Sequence, residues 1–269
     1  MSPQQSLTAK KSLGQHFLNN THVPRLMVEA GNVTRDDIVV EIGPGTGVLT
    51  RALLATGATV IALEADSRAI SLLHEMFRDE ITAQKLVISL CDVRTLDIRT
   101  LGLRAGGYKV VANIPYYLSG MLFRIFLEHE THPSDLVFLV QKEVAERIVR
   151  DPKESILSLS VKVFGEPRYV KTVGKGNFTP PPKIDSAIIA VSRIRHDVVQ
   201  HVGARFFFET LHVGFRAKRK QLLGNLCAVY PREALSTIFH TLNLDLTIRA
   251  EDVSLDAWLT LCAELQKIK

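Results

Sequence analysis

Residues 39–47 read Val-Val-Glu-Ile-Gly-Pro-Gly-Thr-Gly, an apolar strand that runs into a glycine-rich turn, and a segment of helical period begins at Val48. Glycines in such a turn let the backbone approach a ligand closely. The dinucleotide-binding fingerprint needs a Gly or Ala three positions after its second glycine, and Val48 stands there. The pattern therefore disfavours a nicotinamide or flavin cofactor and indicates a strand, turn and helix that hold another ligand.

The rest of the amino-terminal half repeats this alternation of apolar runs and helical segments. Strands are predicted at 38–42, 60–64, 86–91, 109–112 and 136–140, and helices between them at 48–55, 67–77 and 119–130. Alternating strands and helices predict a buried, doubly wound parallel sheet of the Rossmann-like α/β class. Two later strands, at 170–173 and 187–191, are separated by a proline-rich turn and are expected to form an antiparallel edge.

Strand signals stop after about Arg195, and the remaining residues have helical periods. Ser254 is a plausible N-cap for a last helix that carries Trp258. We therefore expect two domains, a sheet domain at 1–195 and a small all-helical domain at 196–269.

Composition limits the class of protein. The 269 residues are 46% hydrophobic and 23% charged, as expected of a globular chain, and the net charge of +5 favours an anionic partner. The three cysteines, Cys91, Cys227 and Cys262, have no metal-like spacing and favour a reducing compartment. Neither a secretory leader nor an apolar run of about 20 residues is apparent. We expect a soluble, cytoplasmic monomer without a metal.

Acidic residues follow the next two predicted strands. Glu64 stands twenty-one positions after Gly43, and Asp92 follows Cys91. Ligands of a doubly wound sheet bind at the carboxyl ends of its strands, so Glu64 could accept hydrogen bonds from two ribose hydroxyls while Asp92 meets an adenine amine. Either carboxylate alone could instead cap a helix. Their joint placement favours a nucleoside.

Asn113-Ile114-Pro115-Tyr116 follows another strand and combines an amide with an aromatic ring on a turn stiffened by proline. Proline biases Ile114 away from helix, so its carbonyl is expected to point outward. A flat base could lie on Tyr116 while its amine donates to the Asn113 side-chain oxygen and a main-chain carbonyl. The alternative is an ordinary exit from a parallel strand.

Together these segments resemble the S-adenosylmethionine-dependent ribosomal RNA adenine N6,N6-dimethyltransferase family. Three more segments carry the resemblance, which covers about residues 10–226: 11–18 (Lys-Ser-Leu-Gly-Gln-His-Phe-Leu), 141–147 (Gln-Lys-Glu-Val-Ala-Glu-Arg) and 178–187 (Phe-Thr-Pro-Pro-Pro-Lys-Ile-Asp-Ser-Ala). The segment 215–220 (Phe-Arg-Ala-Lys-Arg-Lys) and the helical tail are more similar to the branch acting on the small ribosomal subunit than to the antibiotic-resistance branch acting on the large subunit.

The resemblance implies a role for individual residues. Those expected to hold S-adenosylmethionine are His16, Leu18, Gly43, Gly45, Glu64, Asp92 and Asn113. Asn113 and the Ile114 carbonyl would hold the target amine, and Tyr116 with Phe178 would sandwich the flipped base. His16 stands where many relatives have Asn, although either side chain can donate a hydrogen bond.

The resemblance also implies a substrate, two adjacent adenines in the 3′-terminal hairpin of small-subunit (16S) ribosomal RNA within a 30S assembly intermediate. Exposed cations give phosphate affinity without sequence preference, and those expected to contact RNA are Arg216, Lys218, Arg219 and Lys220, with Lys10 and Lys11 extending the surface. One rival function is a non-catalytic RNA-binding assembly or transcription factor on the same scaffold. Another is a small-molecule methyltransferase, which the basic segment and the Phe178 loop disfavour.

Overall fold

The computed structural model of the protein describes residues 7–10 and 13–268. Lys11 and Ser12, which belong to the amino-terminal signature, lie outside the described residues, and so does the predicted contribution of Lys11 to RNA binding.

Strands and helices alternate through the first 140 residues. The strands are β1 Phe17–Leu18, β2 Ile38–Ile42, β3 Thr59–Glu64, β4 Leu86–Leu90, β5 Lys109–Asn113, β6 Asp135–Gln141, β7 Glu166–Val173, β8 Phe178–Thr179 and β9 Ser186–Ser192. The helices are α1 His22–Ala30, α2 Val48–Leu54, α3 Ser67–Met76, α4 Arg78–Thr82, α5 Ser119–Leu127, α6 Lys142–Val149, α7 Ile156–Lys162, α8 Asp197–Gln200, α9 Ala204–Gly214, α10 Leu222–Leu226, α11 Arg232–Thr241 and α12 Leu255–Gln266.

Seven strands form one sheet in the order β4-β3-β2-β5-β6-β9-β7. The first five are parallel, because β2 pairs with β3 and β5, β3 with β4, and β5 with β6 in parallel register. The predicted doubly wound α/β sheet is confirmed. The chain order reverses between β2 and β5, so the carboxyl ends of β2, β3, β4 and β5 form the edge where such sheets bind ligands.

β9 pairs antiparallel with β6, with Leu136 opposite Val191 and Gln141 opposite Ser186. β7 lies outside β9 at the end of the sheet. The predicted edge formed by the two late strands is therefore present. β7 begins four residues before the strand predicted at 170–173.

The central parallel strands form because most of their side chains are apolar on both faces. The last four residues of β2 and the middle five of β6 are buried, as expected of strands covered by helices on both sides. Asp66 caps α3 by accepting a hydrogen bond from the Arg68 N–H at 3.2 Å, which fixes where that helix begins beside the end of β3.

A second, two-stranded sheet joins segments far apart in sequence. β1 pairs antiparallel with β8, with Phe17 opposite Thr179 and Leu18 opposite Phe178. Strands of two residues carry no periodic signal, so the sequence did not predict them. This pairing fixes the amino-terminal segment to the proline-rich loop.

The described residues divide into two compact units, the first comprising those up to Ala145 together with Arg168–Ile194 and the second comprising Glu146–Pro167 together with those from Arg195 onward. The domain boundary after residue 195 stays a prediction, and the contact pattern groups residues 146–167 with the C-terminal helices. Within residues 7–10 and 13–268, no helix is long and apolar enough to cross a membrane.

The second unit is helical around a buried tryptophan. Ser254 accepts a hydrogen bond from the Ala257 N–H at 3.3 Å and caps α12, as predicted. The Trp258 ring stacks on Phe215 with centroids 5.8 Å apart, and its indole N–H donates to the Ala250 carbonyl at 3.3 Å. A Cβ on Gly214 would lie 2.5 Å from Trp258, so only glycine fits beside the ring.

Candidate functional site

A pocket of about 430 Å³ opens at the carboxyl edge of the parallel strands, within the first unit. That volume lies in the range of small-molecule sites. Its walls come from the ends of β2, β3, β4 and β5 and from the amino-terminal segment, and the predicted site residues among them are His16, Gly43, Gly45, Glu64, Asp92, Asn113, Ile114 and Tyr116. The structure therefore brings together residues that span a hundred positions of sequence.

The glycine turn after β2 brings its backbone close to other segments. Gly45 has φ +55°, and a Cβ there would lie 2.8 Å from the Phe17 ring. Gly47 has φ +76°, and its Cβ would lie 2.7 Å from the Phe77 ring. A side chain at either position would be strained by the positive φ and would clash with the neighbouring phenylalanine ring. Phe17, whose role no local sequence pattern indicates, thus packs the amino-terminal segment onto the turn.

Glu64 ends β3 and is 5% exposed. Its Oε2 accepts a hydrogen bond from the Gly45 N–H at 3.0 Å, and its Oε1 accepts one from the Asp66 N–H at 2.8 Å. Burial raises the pKa of this carboxyl, whereas the two backbone donors oppose the rise. Each oxygen can still accept another hydrogen bond, so the carboxylate can meet a pair of hydroxyls.

Asp92 follows β4 and is held by Arg94. Arg94 Nε lies 2.9 Å from Oδ1 of Asp92, and Arg94 Nη2 lies 2.6 Å from Oδ2. This bidentate ion pair with Arg94 holds the pKa of Asp92 below its usual value. Asp92 also caps the short helical turn Val93–Thr95. It therefore has the capping role that the sequence left open, and it lines the pocket as well.

Asn113 ends β5, and its amide has a fixed orientation. The Nδ2 group donates a hydrogen bond to the His16 backbone carbonyl at 3.0 Å. The other end of the amide, the Oδ1 atom, is thereby directed away from that carbonyl. That Oδ1 atom has no hydrogen-bond partner among the described residues. The arrangement can accept a hydrogen bond from an amine in the pocket.

Tyr116 begins a short helical turn after Pro115. Its hydroxyl shares a hydrogen bond of 2.7 Å with Ser186 Oγ, and burial raises the pKa of the phenol. The His16 ring stacks on Tyr116 with centroids 6.0 Å apart and planes 22° apart. His16 Nδ1 donates to the Pro180 carbonyl at 2.8 Å, so this ring is held by the proline-rich loop.

Two predicted site residues lie elsewhere in this structure. Phe178 is 3% exposed, belongs to the hydrophobic core and does not line the pocket. The β1–β8 pairing holds Phe178 in the core in this structure, and the sandwich of Tyr116 and Phe178 around a base stays a prediction. Leu18 is buried in the same core and also lies outside the pocket wall.

A sequence profile of the ribosomal RNA adenine dimethylase family matches residues 6–267. This chain belongs to that family. The predicted resemblance is thus confirmed.

Relatives in the family match along nearly all of the chain. Proteins called ribosomal RNA small subunit methyltransferase A are 35% identical in Dehalococcoides mccartyi, covering 96% of this chain and 89% of that protein, and 35% identical in Deinococcus radiodurans, covering 98% and 88%. A dimethyladenosine transferase structure from Plasmodium falciparum superposes with a TM-score of 0.80 at 26% identity, over 94% of this chain and 98% of that one. The 23S ribosomal RNA methyltransferase ErmE shares the fold, with a TM-score of 0.74 at 23% identity, over 93% and 99%.

The basic run of this family member forms an exposed turn in the second unit. Arg216, Lys218, Arg219 and Lys220 are all exposed and lie between α9 and α10 rather than on a helix face. The buried Asn225 amide donates to the Ala217 carbonyl at 3.3 Å and thereby anchors the turn. In the part of the chain that the structure describes, no three His, Cys, Asp or Glu side chains are grouped to hold a metal.

Proposed function

We propose that this chain transfers methyl groups from S-adenosylmethionine to N6 of two adjacent adenines in the 3′-terminal hairpin of small-subunit (16S) ribosomal RNA. The product is N6,N6-dimethyladenosine. Membership of the ribosomal RNA adenine dimethylase family supports the reaction. The names of the relatives in Dehalococcoides and Deinococcus support the small-subunit substrate.

The pocket fits the methyl donor. The buried Glu64 carboxylate suits the ribose hydroxyls, Asp92 suits the adenine amine, and the backbone of Gly43 and Gly45 can approach the methionine part because neither carries a Cβ. When bound, S-adenosylmethionine supplies an electrophilic methyl group on a sulfonium. The nicotinamide and flavin alternatives have no comparable support, since Val48 replaces the third small residue of their fingerprint.

One observation carries the catalytic assignment, the hydrogen bond from Asn113 Nδ2 to the His16 carbonyl. It fixes the side chain with Oδ1 available to the target amine. An amine that donates to Oδ1 and to the Ile114 carbonyl would keep its lone pair away from both acceptors and free to attack the methyl group. As the N–C bond forms, the S–C bond of the sulfonium would break to leave S-adenosylhomocysteine, and the methylated nitrogen would release its proton to water. Alignment of donor and acceptor accounts for most of the catalysis, and no ionised base is required.

Tyr116 supplies a face for the flipped adenine. Stacking on one ring contributes about 1–3 kcal/mol, comparable to the few kcal/mol that extrusion of a base costs. Ser186 fixes the Tyr116 ring through its hydroxyl. The base has to share Tyr116 with the His16 ring, and stacking by Phe178 requires that ring to leave the core.

The exposed turn at Arg216, Lys218, Arg219 and Lys220 would provide affinity for phosphates of the hairpin without reading its sequence. We expect the chain to act as a monomer in the cytoplasm on a 30S assembly intermediate. The comparisons give no support to a non-catalytic assembly factor.

Alanine at Asn113 tests the catalytic assignment. Asn113→Ala removes the only side-chain acceptor proposed for the amine, so methyl transfer should fall at least 100-fold while RNA affinity changes less than twofold. Transfer of labelled methyl groups and filter binding with the same small-subunit RNA measure the two. Equal losses of transfer and RNA affinity would contradict the role.

A matched pair at Tyr116 tests the stacking role. Tyr116→Phe keeps the ring and loses only the Ser186 contact, so it should retain most activity. Tyr116→Ala should lose most of the activity. Equal activity in the two variants would show that the Tyr116 ring does not hold the base by stacking.

A further inference from the structure

Asp66 receives hydrogen bonds from two separate segments of the first unit. Arg68, at the start of α3, donates from its backbone N–H at 3.2 Å and from Nε at 3.0 Å to Oδ1, and its Nη2 pairs with Oδ2. Gln15, fifty-one positions earlier, donates from Nε2 to Oδ2 at 3.2 Å. Arg68 holds the pKa of Asp66 down at about 2.

The amino-terminal segment makes further contacts with this pair. Arg68 Nη1 donates to the Thr8 carbonyl at 3.2 Å, and Lys10 Nζ lies 3.8 Å from Asp66 Oδ1. Gln15 Oε1 accepts a hydrogen bond from the Lys10 N–H at 2.8 Å. One carboxylate and one guanidinium thus hold three points of the segment.

The same Asp-x-Arg pattern occurs at Asp97 and Arg99 without any such segment. Asp97 accepts hydrogen bonds from the Arg99 N–H at 3.1 Å and from Nε at 2.9 Å, while its side chain stays 42% exposed. The Asp66 side chain is 1% exposed. Removing a carboxylate from water is unfavourable unless enough donors satisfy it, so the partly exposed Arg68 alone does not explain this burial.

The position of Asp66 connects the segment to the pocket. Its backbone N–H donates to Glu64 Oε1 at 2.8 Å, and Gln15 lines the pocket beside His16 and Phe17. Neither the Asp66 nor the Arg68 side chain lines the pocket. Any effect of this pair on the cofactor must therefore act through the segment or through Glu64.

We propose that Asp66 and Arg68 are positioning residues that dock Thr8, Lys10 and Gln15 against the first unit beside the cofactor pocket and thereby set the affinity for the cofactor. This inference rests on the proposed function. The pair holds the Gln15 side chain, which lines the pocket.

The test compares Arg68→Ala with Arg99→Ala. Both remove a guanidinium from an Asp-x-Arg pair, and both leave the aspartate to cap its helix. Arg68→Ala should weaken binding of S-adenosylhomocysteine about tenfold by calorimetry and raise KM for S-adenosylmethionine about tenfold with kcat retained. Arg99→Ala should change neither. Hydrogen exchange of ligand-free protein should accelerate at residues 13–18 in Arg68→Ala and stay unchanged in Arg99→Ala.

Either of two results would overturn the proposal. One is unchanged hydrogen exchange at residues 13–18 in Arg68→Ala, and the other is an affinity of Arg68→Ala for S-adenosylhomocysteine equal to that of Arg99→Ala. Asp66→Asn gives an independent check, because asparagine still caps α3 but loses the charge that binds Arg68. It should follow Arg68→Ala in both readouts. A wild-type protein that fails to bind S-adenosylhomocysteine would refute the proposed function, whereas the exchange experiment would still decide the docking.

Discussion

Replacing Glu41 with glutamine should stabilise the first unit in a pH-dependent way. Glu41 stands near the end of β2, is 1% exposed, and neither of its oxygens has a hydrogen-bond partner of normal geometry among the described residues. The buried Thr50 hydroxyl likewise has no hydrogen-bond partner of normal geometry in the described part of the chain. Burial, reinforced by the neighbouring Glu64 carboxylate and opposed by Thr50, raises the pKa of Glu41 from 4.5 to about 8.

The sign of the effect follows from proton binding. Above pH 4.5 the unfolded chain releases the Glu41 proton while the folded protein keeps it, so stability falls by about 1.4 kcal/mol per pH unit until pH reaches about 8. Glu41→Gln does not titrate and lacks this loss. The stability of Glu41→Gln relative to wild type should therefore rise by about 2–3 kcal/mol between pH 5 and pH 7.

Hydrogen exchange of the buried β2 amides measures this stability, because the single tryptophan lies in the second unit and does not report on β2. Glu29→Gln, an exposed change on α1, is the control and should shift stability by less than about 0.5 kcal/mol at either pH. A difference between wild type and Glu41→Gln that stays constant from pH 5 to pH 7 would refute the reasoning.

Two further predictions concern RNA. Lys218→Ala should weaken RNA binding and lower the slope of log affinity against log salt by about one unit, and an unchanged slope in a salt titration would remove Lys218 from the contact surface. Phe178→Leu keeps an apolar group in the core and should cost about 1 kcal/mol of stability. If the Phe178 ring leaves the core to stack on the base, the same variant should also lower methyl transfer. Full activity in a folded Phe178→Leu protein would show that Phe178 serves the core alone.

Much of the sheet could be predicted from sequence because a buried parallel strand is apolar on both faces. The predicted strand at 38–42 coincides with β2, and the other parallel strands begin or end within one residue of their predictions. The carboxyl ends of adjacent parallel strands meet at one edge, so the joint placement of Glu64, Asp92 and Asn113 followed from spacing alone.

The amino-terminal wall of the pocket could not be predicted in the same way. β1 is two residues long, and its partner β8 lies about 160 positions later in the chain, so no periodicity marks either strand. Gln15, Phe17 and Asp66 act through contacts between distant segments, which a local pattern does not encode. The burial of Phe178 also follows from the β1–β8 pairing, whereas its sequence context of prolines suggested a loop.

Nucleoside analysis after methylation tests the central claim most directly. The purified protein and S-adenosylmethionine are incubated separately with unmodified small subunits and with large-subunit RNA, and each RNA is then digested and its nucleosides are identified by mass. We predict N6,N6-dimethyladenosine from the small subunit alone. Dimethyladenosine from the large-subunit RNA, or no methylated adenosine from either, would contradict the account.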